Sequence, residues 1–127
     1  MSRHTVRLKG IVVGWSDLEN ADPSLGRARG RFRPGVGYDL VQPVFQLYAE
    51  AVPTPGADAK DPEKLDRYHR SRDALGLSLE DPSGRAIPTS AIHIEDYSQR
   101  KGGSIEVEVL IVDREYWKRR QEEPRFQ

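Results

Sequence analysis

The sequence contains no cysteine, a single methionine and no long run of apolar residues. Without cysteine, the chain cannot form disulfides, bind zinc through thiolates or use a cysteine nucleophile. The first ten residues, MSRHTVRLKG, lack the apolar core of a signal peptide. No apolar run approaches the roughly 20 residues that span a bilayer. We therefore expect a cytoplasmic protein that does not enter a membrane.

The chain also lacks net charge, because its 20 basic residues are balanced by 20 acidic residues. Proteins that hold duplex DNA through many phosphate contacts normally carry an excess of lysine and arginine. Binding to bulk duplex DNA is therefore not expected, and any site for an anion must be local. Charged residues make up 31% of the chain and apolar residues 36%, which predicts a heavily charged surface around a modest core.

Short alternating segments predict a mainly β fold. In residues 104–113, SIEVEVLIVD, every second residue is aliphatic, and residues 91–97, AIHIEDY, alternate in the same way. Period-two alternation is typical of a strand with one buried face. Strands follow one another without the intervening helices of a parallel sheet. We therefore expect a small antiparallel β-sandwich or open barrel of five to six strands.

Three further segments complete this prediction. Residues 5–15, TVRLKGIVVGW, are assigned to one strand, in which Gly10 and Gly14 indicate a bend, a bulge or the close approach of another part of the chain. Residues 37–51 are assigned to the longest strand, which must lie at an edge or carry a bulge because Pro43 cannot donate a ladder hydrogen bond. Residues 81–84, DPSG, carry the signature of a type I turn and predict a hairpin.

The remaining signals are two helix starts. Asp61 followed by Pro62 predicts the start of a middle surface helix, and Asp113 predicts the cap of a short C-terminal helix. We expect one β-rich domain over residues 1–127, with an internal loop at 52–62 and a frayed end at 121–127.

The first candidate site is a row of arginines in residues 26–35, GRARGRFRPG. In an extended chain all four guanidinium groups project to one side, where they can bind phosphate or carboxylate through two points. The candidate ligand-binding residues are Arg27, Arg29, Arg31, Arg33 and Tyr38. The alternative is that the arginines protect a strand edge and pair with neighbouring acids, and the neutral chain favours this alternative.

The second candidate site would perform acid–base chemistry. His93 and Glu95 share one face of a predicted strand, Asp96 is adjacent, and His69 lies on the predicted middle helix. Catalysis or metal binding would require both histidines and an acid to converge from separate elements, which the spacing does not show. A histidine beside an acid on a solvated face is the commoner case.

No known catalytic motif is present in the chain. Phosphate-loop, dinucleotide-binding, serine-hydrolase elbow, zinc-protease and EF-hand motifs are all missing. We therefore predict no cofactor and no metal, and a non-catalytic role is favoured over an enzyme.

Aromatic residues near strand ends are the candidates for an interface. Tyr116 and Trp117 are interleaved with basic residues, and Trp15 ends the first predicted strand. A tryptophan after the last core strand commonly plugs the end of a sandwich or barrel, which is the preferred interpretation for Trp117. An exposed tryptophan would instead mark an interface.

These observations rank three functions. The first is a non-catalytic module that binds a protein partner or forms a homo-oligomer. The second is a module that binds an anion, a nucleotide or single-stranded nucleic acid through the arginine row. The third is a small hydrolase or isomerase with a histidine and an acid in a pocket.

Overall fold

The computed structural model describes residues 3–122 and shows a fold that mixes sheet and helix. Its strands are β1 His4–Leu8, β2 Ile11–Ser16, β3 Asn20–Asp22, β4 Arg27–Arg31, β5 Arg33–Pro34, β6 Ser78–Glu80, β7 Ala86–Ile87, β8 Thr89–Asp96 and β9 Ile105–Ile111. Its helices are α1 Tyr38–Ala51, α2 Pro62–Leu75 and α3 Arg114–Glu122, with one 3-10 turn at Pro23–Leu25. The prediction of a mainly β fold is therefore only partly confirmed, because helices share the molecule with the strands.

The strands form two antiparallel sheets. One has five strands in the order β5-β2-β1-β6-β7, and the other has four in the order β3-β4-β9-β8. Neither sheet closes into a barrel. Buried side chains from both sheets and from all three helices belong to one apolar cluster, with Val13 and Val109 from the sheets and Phe45, Tyr68 and Tyr116 from the helices. The core thus lies between the sheets and helices.

The predicted longest strand was wrong, because residues 38–51 form helix α1. The apolar residues of this segment fit both the two-residue period of a strand and the 3.6-residue period of a helix. Val41, Val44, Phe45 and Tyr48 follow the spacing of a helix face, and Val41 and Phe45 are fully buried. Pro43 lies inside the helix on its exposed side, so its ring meets solvent and not the core. Packing of one helical face against the core therefore outweighs the proline.

The segment from residue 5 to residue 15 is two strands and not one. Strands β1 and β2 pair as a hairpin in which Leu8 lies opposite Ile11, so Lys9 and Gly10 make a two-residue turn. Lys9 takes a positive φ of 56° there, as such tight turns require. Because the chain reverses, Val13 is the valine of β2 that is fully buried, whereas Val12 is only half-buried.

Gly14 in β2 fits the predicted close approach of another part of the chain. A Cβ atom at this position would lie 2.3 Å from Cζ of Phe32, so no larger residue fits while that ring is buried.

The predicted turn and helix starts are confirmed. The Asp81 carbonyl accepts from the Gly84 N–H at 2.9 Å in the hairpin between β6 and β7. The Asp61 side chain accepts from the Lys64 N–H at 3.1 Å at the start of α2. The Asp113 side chain accepts from the Glu115 N–H at 3.1 Å at the start of α3. Local turn and capping chemistry was therefore readable from sequence.

Strands β8 and β9 also follow their predicted alternation, since Ile92, Ile94, Val107, Val109 and Ile111 are all buried. Residues 52–61 connect α1 to α2. Helix α3 runs to Glu122, and the last five residues of the predicted frayed end, 123–127, lie outside the described residues. Within residues 3–122, no helix has the length and apolar character needed to cross a bilayer.

The helical placement of Pro43 can be tested by replacing it with alanine. The variant P43A gains a backbone N–H that can donate to the Asp39 carbonyl, while only an exposed ring is lost. We expect the free energy of unfolding in urea to rise by about 1 kcal/mol or more. The matched control is P82A in the turn at 81–84, where the ring presets the backbone and no gain is expected. An equal loss of stability in both variants would contradict the helix.

Candidate functional site

The candidate residues converge on one face of the four-stranded sheet, which we call the outer face. Side chains alternate along each strand, so the opposite face carries the buried residues Ala28, Val107 and Ile94. The outer face consists of Asn20 and Asp22 from β3, Arg27, Arg29 and Arg31 from β4, Glu106, Glu108 and Leu110 from β9, and Ala91, His93 and Glu95 from β8.

Only three of the four predicted arginines belong to this face. Arg33 lies in β5 of the other sheet, where it pairs with Trp15 across the strands and its guanidinium lies 3.8 Å from Asp17. The row is interrupted at Phe32, which connects β4 to β5 and whose side chain is buried. The prediction that all four guanidinium groups line one surface was therefore wrong.

The arginines of β4 pair with acids on neighbouring strands. The Arg27 Nε lies 3.4 Å from Glu108, and the Arg29 Nε lies 3.0 Å from Glu106. Arg29 also donates to Glu95 at 2.7 Å. These contacts correspond to the alternative interpretation of the row. The reason is not edge protection, however, because β4 lies between β3 and β9.

Arg29 compensates a like-charge pair. Glu95 and Glu106 lie directly opposite each other on β8 and β9, an arrangement that is destabilising for two bare carboxylates. The Arg29 guanidinium bridges both of them. Its hydrogen bond to Glu95 is the main cause that raises the pKa of Arg29. Arg29 therefore offsets the repulsion that this pair of acids would bring to the pairing of β8 with β9.

His93 is held at both ring nitrogens. Its Nδ1 contacts the Tyr68 hydroxyl, and its Nε2 lies 3.1 Å from the Glu95 carboxylate. Burial raises the pKa of Tyr68, so this hydroxyl keeps its proton and can donate to Nδ1. Because a carboxylate only accepts, the Nε2–H donates to Glu95. In its neutral form His93 therefore has one tautomer and no free nitrogen for an incoming ligand.

A cleft of about 260 Å³ opens beside this network, between α2 and the outer face. It is lined by Tyr48, His69, Arg72, Ala91, His93, Glu95, Glu108 and Leu110. The two predicted histidines and Glu95 thus share one cleft, which spacing alone did not show. Burial and the nearby Arg72 lower the pKa of His69, which favours its neutral form. Within residues 3–122, no group of three or more histidine and acidic side chains is placed to hold a metal ion.

Asp96 lies on the opposite, buried face and does not reach the cleft. Its carboxylate accepts from the Tyr38 hydroxyl at 2.6 Å, from Gln42 at 3.2 Å, and from the Ser98 N–H and hydroxyl at 3.0 and 2.5 Å. Burial opposes its ionisation, but the hydrogen bonds from Ser98 and Tyr38 outweigh burial and lower the pKa of Asp96. Two predicted site residues, Asp96 and Tyr38, therefore join α1 to the end of β8, away from the arginines.

The three candidate interface aromatics have different surroundings. Tyr116 is buried, and its hydroxyl lies 2.9 Å from His4 Nε2. Trp117 is half-buried and donates from its indole N–H to the Ile111 carbonyl at 3.0 Å, in keeping with a plug after the last strand. Trp15 is half-buried on β2 under the Arg3 guanidinium, 4.3 Å from its ring. None of them lies on the outer face.

Sequence reasoning missed the exposed apolar residues of this region. Leu110 is 38% exposed on the outer face, and Val112 just beyond β9 is 67% exposed. The alternation of residues 104–113 already places position 110 on the side of Glu106 and Glu108, so this signal was present. Tyr68 and Tyr48 carried no such signal, because their contacts with His93 depend on how the helices pack.

Comparison of the chain with known protein families, characterised proteins and solved structures finds no match.

The pairing of Glu95 makes stability depend on pH in the acid range. The hydrogen bond from His93, followed by the Arg29 contact, lowers the pKa of Glu95 from 4.5 to about 2. Since the folded state favours the ionised form, this contribution is complete above about pH 4.5 and is lost as the pH falls toward 2. We expect E95Q to be less stable than the parent protein at pH 6.

The difference between the two proteins in urea denaturation should then shrink steadily as the pH is lowered from 4.5 to about 2. The variant E63Q, on the exposed surface of α2, is the control for loss of one negative charge. A stability difference for E95Q that stays constant across this range would show that Glu95 titrates normally.

Proposed function

We propose that the protein is a non-catalytic binding domain and that the outer face contacts a protein partner or a second copy of the chain. One observation carries this proposal. The outer face leaves Leu110 and, at its end, Val112 in water beside charges that are already paired within the molecule. Exposed apolar side chains rimmed by polar groups are typical of interaction surfaces.

The bonding of the polar residues supports a binding role over a catalytic one. His93 uses both ring nitrogens, and Glu95 accepts from His93 and Arg29 together. A base or acid must have a free position directed at its substrate. These side chains instead hold the sheet face rigid, which favours recognition of a surface without conformational change.

The arginine row gives less support to an anion-binding function. A phosphate at Arg27 or Arg29 would have to displace Glu108, or Glu95 and Glu106. Arg31 remains exposed on the face, and Arg33 is in the other sheet. Among the described residues, the row therefore leaves Arg31 as the one arginine without an ion pair, where the sequence predicted four guanidinium groups on one surface.

We also propose that residues 1–127 form one domain in which the two sheets pack as a sandwich, and that the protein works in the cytoplasm. The shared apolar cluster, to which both sheets contribute, supports the first of these proposals. The highly charged composition without cysteine supports the second.

The proposed surface can be located by site-specific photocrosslinking. A photoreactive amino acid at position 110 should give a discrete crosslinked species in a lysate of the source cells, because this side chain would lie inside the interface. The control is the same amino acid at position 36, since Val36 is also apolar and is 91% exposed away from the outer face. Adducts of equal yield at both positions, or none at position 110, would overturn the proposed surface.

A second candidate function, a small hydrolase or isomerase, is favoured by one observation. His69 is exposed and lies in the same cleft as His93 and Glu95, and the lowered pKa of His69 leaves it neutral and able to accept a proton.

If this function is correct, the protein should hydrolyse chromogenic esters faster than free imidazole at equal concentration, and H69A should lose this excess rate. The variant R70A, which changes an exposed neighbour on α2, should retain it. A parent protein that does no better than imidazole would rule out the hydrolase.

A further inference from the structure

The outer face carries two parallel stripes of opposite character. In the register of β4 and β9, Arg27 lies opposite Leu110, Arg29 opposite Glu108, and Arg31 opposite Glu106. The β4 stripe is therefore basic along its length, whereas the β9 stripe is acidic and then apolar. Two stripes of this kind form a surface that is complementary to a rotated copy of itself.

Arg31 is the arginine for which this pattern provides no acid within the chain. Each paired arginine contacts the residue two positions before its direct neighbour on β9, so that Arg27 reaches Glu108 and Arg29 reaches Glu106. The corresponding position for Arg31 is Ser104, which has no charge. The Arg31 side chain is exposed, and among the described residues it forms no salt bridge.

Glu106 can take a second partner. It contacts Arg29 through Oε1, and 41% of its side chain remains exposed. A carboxylate has two oxygens and accepts several donors, so an additional guanidinium can bind without displacing Arg29.

Exposed apolar side chains lie beyond the same end of both stripes. The Ile111 N–H donates to the Gly26 carbonyl at 2.7 Å, so the pairing of the two strands continues as far as Gly26. Leu25, the last residue of the 3-10 turn, comes just before Gly26 and is 62% exposed, and Val112 comes just after β9 and is 67% exposed. Leu25 therefore precedes the basic stripe, and Val112 follows the acidic one.

We infer that two copies of this chain associate through their outer faces, about a two-fold axis that runs parallel to the strands along the seam between β4 and β9. This dimer rests on the proposed function, and it makes the partner of the outer face a second copy of the chain. The rotation places β4 of each copy over β9 of the other, so Arg31 faces Glu106 across the interface, and the end of β4 next to Leu25 lies over the end of β9 next to Val112. Both contacts occur twice, as a two-fold axis requires.

The energetics assign different roles to the two kinds of contact. Burial of the apolar ends supplies the driving force, because it removes exposed leucine and valine surface from water. The charged pairs set the register and contribute specificity more than affinity. Since the chain has no net charge, two copies approach without long-range repulsion.

Mixing two charge-reversal variants tests this arrangement. R31E alone places a carboxylate against Glu106 of the second copy, and E106R alone places a guanidinium against Arg31 of the second copy. Each variant should therefore dimerise at least about tenfold more weakly than the parent protein. Mixed in equal amounts, the two variants should form a heterodimer, because both contacts between the copies then join opposite charges. One contact is the original pair of Arg31 with Glu106, and the other joins the introduced glutamate at position 31 to the introduced arginine at position 106. Sedimentation velocity measures the dissociation constants of the parent and of each variant, and a fluorescent label on one variant gives the dissociation constant of the heterodimer.

Three controls make the result decisive. Circular dichroism and urea denaturation confirm that each variant is folded, and R70E on the exposed surface of α2 controls for a change of charge. Replacing Val112 with aspartate should weaken the dimer, whereas V36D, at the other exposed valine, should not. Recovery in the mixture cannot arise from an effect inside one chain.

The inference is overturned if the parent protein stays monomeric up to a concentration of about 1 mM, the weak end of measurable association. It is also overturned if folded R31E dimerises like the parent, or if the mixture shows no heterodimer. A monomeric protein that still crosslinks at position 110 to a different protein would leave the proposed function intact. A monomeric protein without that crosslink would remove both.

Discussion

A chain of hydrogen bonds from Tyr68 through His93 and Glu95 to Arg29 is the interaction on which the sheet face depends. It joins α2 to β8 and β8 to β4, and it begins at a tyrosine that is fully buried. Without the Arg29 guanidinium, Glu95 and the Glu106 opposite it would repel each other where the end of β8 pairs with the start of β9. Without Tyr68, His93 would keep an unsatisfied nitrogen beside the core.

This bonding also supports the proposal that the outer face binds a partner and does not perform chemistry. Apart from Arg31, its charged residues on β4, β8 and β9 are paired with one another, whereas its apolar side chains at position 110 and beyond remain in water. A surface with compensated charges and an apolar end can be covered by another protein at little desolvation cost. The absence of net charge also favours such a contact, because a second copy of the chain is not repelled. His69 is the exception, since it lies in the adjoining cleft outside the chain of hydrogen bonds.

Helix α1, which was predicted as a strand, shows the limit of periodicity. Between residues 38 and 51, Val41, Phe45 and Leu47 share a strand face, but Val41, Val44 and Phe45 also share a helix face. Pro43 was taken as evidence for an edge strand, although it is accommodated on the exposed side of α1. The choice between the two periods was made by burial of Val41 and Phe45 against the sheets, which a local window does not contain.

The sequence by itself determined what depends on neighbours within a few residues: the alternation of β8 and β9, the turn at 81–84, and the caps at Asp61 and Asp113. The tertiary structure decided which charges meet. Arg29 and Glu106 are 77 residues apart, and Arg29 and Glu95 are 66 apart, yet they form the centre of the face. Spacing along a chain carries no information about such pairs, because strand order and register are set by burial of the whole core.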